Sequence, residues 1–238
     1  MPHSSLATQS SSPALPQAPM PGPRAERLAC PTDGSIPAGP ARQAAPSVGE
    51  PTAGADHSGA QLPAGLAGLL QDLVVRPVGP DLVAAIEDLH ARAFGPGRFT
   101  RAAYRVREGL PPFSGLCLAA VSGERLAAAI RFAPVLIGGR PGAELLGPLA
   151  VEPEIKGRGV GQRLVGEGLA AARAKGRRLV VLVGDLPYYG RFGFKVVPRG
   201  QLVMPGPVDP GRLLALELQP GALADYCGKV EADRSAAG

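Results

Sequence analysis

Between residues 145 and 183 one stretch of chain dictates much of what the rest can become. An apolar segment, Leu145–Val151, runs into a loop with glycine at alternate positions, Gly157, Gly159 and Gly161. Leu164, Val165, Gly168, Leu169 and Ala172 then share one helical face, Arg173 and Lys175 close the segment, and Gly176 follows. Cations in a last turn and a glycine just beyond it suit a helix C-terminus. Next comes Leu179-Val180-Val181-Leu182-Val183, an unbroken apolar run rich in β-branched residues. A strand buried on both faces reads this way, and strand–helix–strand calls for parallel pairing across a right-handed crossover.

Upstream the period differs. Leu73–Val78 reads as a short strand, and Pro80-Asp81 opens a helix whose Leu82, Ile86, Leu89 and Ala93 fall on one stripe. His90 sits beside that stripe, as a helix-flank histidine rather than a catalytic one. Phe94-Gly95-Pro96-Gly97 ends the helix, and Thr100 is placed to cap a second one through Glu108. Leu116–Val121 and Leu126–Ile137 flank the turn Ser122-Gly123-Glu124, a hairpin signal, and Gly138–Gly142 turns the chain into Leu145–Val151. Residues 186–192 read as a short helix or turn, with Phe194–Val197 and Leu213–Leu218 as further strands. The expected class is α/β, with a mixed central sheet: antiparallel in its N-terminal part, parallel at the βαβ unit.

The apolar residues that build a core are confined to part of the chain. Residues 1–70 hold no aromatic, one isoleucine and one valine, but 12 of the 27 prolines. Such a stretch cannot bury enough surface to offset the entropy of ordering it. The expected organisation is a disordered Pro/Ala/Gly/Ser-rich tail over 1–70, a domain over 71–200, and a strand/helix extension over 201–238 packed on that domain. No run reaches the ~18 consecutive apolar residues of a membrane helix, and no basic-then-apolar leader opens the chain. Cys30, Cys117 and Cys227 are odd in number and far apart, which argues against a disulfide framework and for the cytoplasm. His90 is the only histidine beyond the tail, and neither CxxC, HxxxH nor GxSxG occurs, so neither a metal nor a charge-relay serine is expected.

The glycine loop carries the chemistry. Lys156-Gly157-Arg158-Gly159-Val160-Gly161 leads into a helix, and bare backbone N–H groups there, together with the helix dipole, make an anion site. Residues 156–199 contain ten basic and two acidic side chains, so the positive surplus surrounds this loop. Two readings stand: a polyanion site, or a solvated helix face behind a glycine-rich turn. No GxxxxGK[ST] occurs, and GxGxxG would need glycine at Leu164, so neither a Walker loop nor a dinucleotide fingerprint fits. With ten aromatics in all and no recognition motif, the chain gives little support to nucleic-acid binding.

Three motifs occur in order: Leu149-Ala150-Val151-Glu152-Pro153, then Lys156-Gly157-Arg158-Gly159-Val160-Gly161, then Tyr188-Tyr189-Gly190-Arg191-Phe192-Gly193-Phe194. Over roughly residues 72–200 the chain thereby resembles the GCN5-related N-acetyltransferase (GNAT) family. Its acyl-CoA motif, Gln/Arg-x-x-Gly-x-Gly/Ala, has Lys156 in first place here, a departure that keeps the charge. The resemblance implies helices on both faces of the sheet and acetyl-CoA as co-substrate, with no metal. It places the pyrophosphate on Lys156, Gly157, Arg158, Gly159, Val160 and Gly161, and pantetheine along Leu149, Ala150 and Val151 between splayed strands. Pro148 then marks a bulge, or else an edge or irregular strand.

The same resemblance implies acetyl transfer to an amine through a tetrahedral intermediate, with the Tyr189 phenol protonating the departing thiolate. Tyr189 also reads as a core aromatic, Tyr188 as its packing neighbour, and Cys117 as a buried packing thiol. Glu144 and Glu152 flank the strand before the loop, and neither is assigned as the base. The acceptor is a small-molecule amine or a protein or peptide amine. Its pocket is walled by Phe94–Arg107 and the C-terminal strands, where Arg98, Arg101 and Arg105 would suit acidic groups. The protein is expected to act as a monomer or homodimer, with no membrane or nucleic-acid partner. The rival is a catalytically silent acyl-CoA-binding regulatory module of the same fold.

Overall fold

The computed structural model describes residues 70–236; the tail expected over 1–70 lies, apart from Leu70, outside the described residues. The strands are β1 (Val74–Pro77), β2 (Leu118–Ser122), β3 (Arg125–Ile137), β4 (Arg140–Val151), β5 (Leu179–Val183), β6 (Lys195–Val196), β7 (Leu202–Val203), β8 (Leu213–Glu217) and β9 (Gly228–Ala232). The helices are α1 (Val83–Phe94), α2 (Ala102–Val106), α3 (Val160–Ala174) and α4 (Leu186–Tyr189). One sheet runs β1-β2-β3-β4-β5-β8-β6, with β9 added to the far end of β3 and β7 to β9. β1 to β4 are antiparallel neighbours, β4 and β5 are parallel, and β8 returns antiparallel to β5. This is the mixed sheet the hydrophobic periods imply. Among the described residues no helix is long and apolar enough to cross a membrane.

Two apolar layers sandwich the sheet. On one face α3 buries Leu164, Val165 and Leu169 against Phe132, Leu146, Val180 and Leu182. On the other, α1 brings Leu89 onto Ala129 and Ala150, while Leu145, Val135 and Val181 form a second cluster with Tyr226. Alternation explains the division: Val180 and Leu182 face α3, Leu179 and Val181 face away, so every residue of the run is covered and none is polar. α3 ends as its sequence dictates. Gly176 takes φ +68°, its N–H bonds to the Arg173 carbonyl, and the Arg177 N–H reaches back to Ala172 at 3.0 Å.

Several elements depart from the sequence reading. β4 starts at Arg140 rather than Leu145, because a tight Gly138-Gly139 turn, both residues at positive φ, pairs Arg140 directly with Ile137. α2 begins after Arg101, its N-cap, not after Thr100. Neither β7 nor β9 is visible as a pattern, since β7 has two residues and β9 reads Gly-Lys-Val-Glu-Ala with only Val230 buried. Cys117 is a free, buried thiol, as a packing cysteine is, whereas Cys227 is disulfide-bonded, a bond that the argument against a disulfide framework did not foresee.

The approach of α3 to the sheet gives a test. A Cβ added at Gly168 would lie 2.4 Å from Cε2 of the fully buried Phe132, whereas one at Gly166 would meet nothing within 4 Å. Gly168→Val should therefore cost about 1–3 kcal/mol or more, and Gly166→Ala should be neutral or stabilise by about 0.5–1 kcal/mol. Thermal unfolding of the two variants checks this; equal unfolding temperatures would contradict the packing.

Candidate functional site

The site begins where two parallel strands separate. β4 and β5 pair only at Ala143–Leu179, Glu144–Val180 and Leu145–Val181. Beyond that point β4 continues along β3 through Leu149–Ile130, Ala150–Ala129 and Val151–Ala128, and β5 continues along β8 through Leu182–Leu214 and Val183–Leu213. The cause lies in the register: β3 advances from Phe132 to Ile130 while β4 advances from Leu146 to Leu149, so β4 carries one extra residue. Gly147, at φ +108°, and Pro148 occupy that bulge. Proline has no ladder N–H to lose, and glycine accepts the backbone angle. Of the readings open for Pro148, the bulge is the one found. The β5-side edge of residues 146–151 is left without a strand partner.

Opposite the opening, α3 starts without a cap. Its N-cap Gly159 has φ +82° and no side chain bonds to the first turn. The first intrahelical bond runs from Arg163 N–H to the Gly159 carbonyl at 2.9 Å, so the amides of Gly159, Val160, Gly161 and Gln162 have no intrahelical acceptor. Gly157 is also left-handed, at φ +78°, and a Cβ at either Gly157 or Gly159 would meet open space. Backbone angle, not crowding, requires glycine at these two positions. Gly161 is different: a Cβ there would sit 3.1 Å from the Tyr188 hydroxyl, 3.3 Å from Val151 Cγ2 and 3.5 Å from Leu149 Cδ2. Its bareness brings the helix start against β4 and the tyrosine.

The charges around this terminus are not equal. Lys156 and Arg158 are exposed and in no ion pair among the described residues. Arg163 is held by Glu167 at 2.8 Å and donates to the Leu73 carbonyl at 3.3 Å. Arg177 pairs with Glu144, and Arg178 with Asp225. Acids from elsewhere in the fold thus neutralise part of the basic segment, leaving Lys156 and Arg158 as the free cations of the loop.

α4 places the two tyrosines edge to face, ring centroids 4.9 Å apart. Tyr189 packs against Phe194 and under Gly184, where a Cβ would lie 2.5 Å from its ring; burial raises its hydroxyl far above the ordinary range, so it keeps its proton. Tyr188 packs against Tyr189 as expected of a neighbour, and it also extends its hydroxyl to the start of α3, with the Arg191 guanidinium over its ring. No spacing in the sequence distinguishes these two roles. The exposed loop, the parted strands and the tyrosine pair meet at one mouth.

A family profile described as an acetyltransferase (GNAT) domain matches residues 74–197, just over half of the chain. The chain belongs to the GNAT acetyltransferase family. It is similar to the uncharacterized N-acetyltransferase YjhQ of Escherichia coli, 44% identical over 55 residues, which are 23% of this chain and 30% of that protein. It is also similar to the uncharacterized N-acetyltransferase YhbS of the same organism, 34% identical over 86 residues, 36% of this chain and 52% of YhbS. The chain thus spans about half or less of these relatives' length. Among solved structures, a GNAT family N-acetyltransferase, YhbS of Escherichia coli in complex with CoA, superposes with a TM-score of 0.59 at 28% identity, covering 68% of this chain and 89% of that one.

In this GNAT domain neither flanking carboxylate is free. Glu152 accepts from Arg92 of α1 at 2.5 Å. Glu144 lies on the α3 face, 1% exposed, with Oε1 2.9 Å from Arg177 Nε but not aligned for a hydrogen bond. Burial pushes its carboxyl up to about 7, against the pull of Arg177 and Lys175. On the opposite face a small pocket, partly open to solvent, is lined by Ile86, Glu87, His90, Cys117 and Arg131 among others. Cys117 accepts from Ser114 N–H at 3.2 Å and donates to the Phe132 carbonyl at 3.4 Å, as a packing thiol does. Of the arginines expected at an acceptor pocket, Arg101 and Arg105 are exposed and Arg98 is largely covered, 3.8 Å from Glu87; Arg107, which the sequence did not single out, is buried.

Glu144 gives a pH-dependent prediction. The unfolded carboxyl titrates near 4.5 and the folded one near 7, so the folded protein holds a proton that the unfolded chain releases between those values. That contribution, on the order of 3 kcal/mol, is present below pH 4.5 and lost as pH rises through about 7. Denaturant unfolding should show Glu144→Gln gaining on the unmodified protein by on the order of 1–3 kcal/mol between pH 5 and pH 8. A difference independent of pH would contradict the burial.

Proposed function

We propose that this protein transfers an acetyl group from acetyl-CoA to an amine acceptor. The observation that carries the reading is the uncapped, glycine-bared start of α3 facing the gap where β4 leaves β5. YhbS, which shares the fold, has been crystallised with CoA. The residues present suit such a substrate. The free amides of Gly159, Val160, Gly161 and Gln162 donate to a diphosphate, Lys156 and Arg158 add charge at its rim, and the unpaired edge at Leu149–Val151 pairs with the amides of an extended pantetheine arm.

The amine attacks the thioester carbonyl; a C–N bond forms, the C–S bond breaks, and the sulfur leaves as thiolate. A strand N–H left free by the bulge stabilises the developing oxyanion. Tyr189, kept protonated by burial, supplies the proton the thiolate takes. The amine attacks in its neutral form; the proton its nitrogen sheds as the C–N bond forms goes to solvent, since Glu144 and Glu152 are engaged elsewhere, and solvent returns a proton to the Tyr189 phenolate.

Calorimetric CoA binding and thiol release from acetyl-CoA against a panel of amines test this. Gly159→Asp, which sets a carboxylate and a side chain at φ +82°, should abolish CoA binding. Tyr189→Phe should bind CoA normally and lose about 100-fold or more in turnover. Normal CoA binding by Gly159→Asp would remove the loop from the site. Full turnover by Tyr189→Phe would reassign the proton donor, and CoA binding without turnover on any amine would favour the silent module.

A further inference from the structure

The face of the bulge opposite α3 holds positive charge in excess of acid, a buried Arg107 and a partly buried Arg131. Arg107, just past α2, is 5% exposed. Its Nη1 donates to the Ala103 carbonyl at 2.9 Å and its guanidinium lies 5.8 Å from the Tyr104 ring, but its Nε has no hydrogen-bond partner. Nη2 lies 3.7 Å from where a Cβ on Gly147 would be, so the group stands against the bulge itself. Arg131 of β3, at the register shift facing that bulge, donates to the Pro111 carbonyl at 2.5 Å. Among the described residues no carboxylate comes within ion-pair distance of either arginine. His90 of α1, 4% exposed, lines the same pocket as Arg131 and leaves Nε2 without a partner.

Such a cluster is unfavourable as it stands. Burial and the neighbouring Arg131 lower Arg107 to about 9, and burial with Arg107, Arg131 and Arg98 lowers His90 to about 4. Among the described residues the acid facing the group is Glu87, half-exposed, 4.0 Å from His90 Nδ1 and 3.8 Å from Arg98 Nη2. A structural anchor for α2 would be better served by an apolar side chain than by a desolvated cation beside a second one. A ligand anion resolves the imbalance, and it would do so at the point where an amine must stand to reach a thioester held in the gap.

Resting on the acetyltransferase reading, we infer that the acceptor amine carries an anionic group, carboxylate or phosphate, received by Arg107 and Arg131 with the Nε2 edge of His90 beside the β4 bulge. The planar forks of the arginines suit either anion.

The test measures thiol release by the full chain with acceptors paired to differ in the anion: β-alanine against β-alaninamide, glycine against glycinamide, and O-phosphoethanolamine against ethanolamine. The anionic member of at least one series should have a kcat/KM about 30-fold higher, its identity separating carboxylate from phosphate. Arg131→Gln should erase that advantage with the dissociation constant for CoA unchanged, and Arg107→Lys should retain part of it. Equal use of charged and neutral partners overturns the inference while leaving the acetyltransferase reading intact. Should none be turned over, the same probes are titrated, with and without CoA, against the His90 imidazole resonances. A saturable shift absent in Arg131→Gln supports the site; no shift with any probe overturns it. Failure to bind CoA sinks the acetyltransferase reading alone, because the titration without CoA still decides the anion site.

Discussion

One surplus residue in β4 organises the molecule. At Gly147-Pro148 the strand gains a residue on β3, bends, and after Leu145 no longer tracks β5. A parallel pair that should run on to a closed ladder instead opens, exposing backbone on one strand and the end of α3 beside it. Everything assigned to function sits around that opening: uncapped amides on one side, the tyrosine pair of α4 below, and Arg107 with Arg131 on the reverse face. The rest of the sheet makes the opening tolerable. β3 supports the bent strand along its length and β8 holds the departing β5, so the backbone groups released are confined to the facing edges.

The sequence made the frame of this arrangement readable and hid its details. The Leu179–Val183 run and the α3 stripe are strong because burial on both faces of a strand and on one face of a helix leaves periods that composition cannot mimic. Glycine at 157, 159 and 161 was legible as a loop but not as three separate requirements, two of backbone angle and one of close approach by Tyr188. Pro148 carried a strand irregularity without saying which kind; the choice depended on β3, a partner known only in three dimensions. β9, whose one buried residue is Val230, is held by pairing with the end of β3 and has no pattern of its own. Arg107 and Arg131 lie far apart in sequence, so their convergence on the bulge is a property of topology. Arg101 and Arg105, two of the arginines expected at the acceptor pocket, are exposed, Arg101 lying over the Phe94 ring.

The electrostatic layout follows from the same topology. Acids outside the basic segment pair with two of its ten cations, Asp225 with Arg178 and Glu144 with Arg177. Two groups of unpaired cations bear on the proposed reaction: Lys156 and Arg158, exposed at the α3 loop, where screening makes them an inexpensive rim for a polyanion, and Arg107 with Arg131 behind the bulge, where desolvation makes the charge costly. In the proposed reaction these two places serve the two substrates, the acyl donor on one side of the sheet and the amine on the other, with the opened β4 edge between them.

Amide hydrogen exchange with and without CoA addresses the central claim most directly, because it reads the backbone groups the opening leaves unpaired. Saturating CoA should slow exchange at residues 157–162 and 149–151 together, and leave the amides of β2 unchanged. Protection confined to another part of the molecule, or none at either segment, would mean that the parted strands are not where the ligand lies.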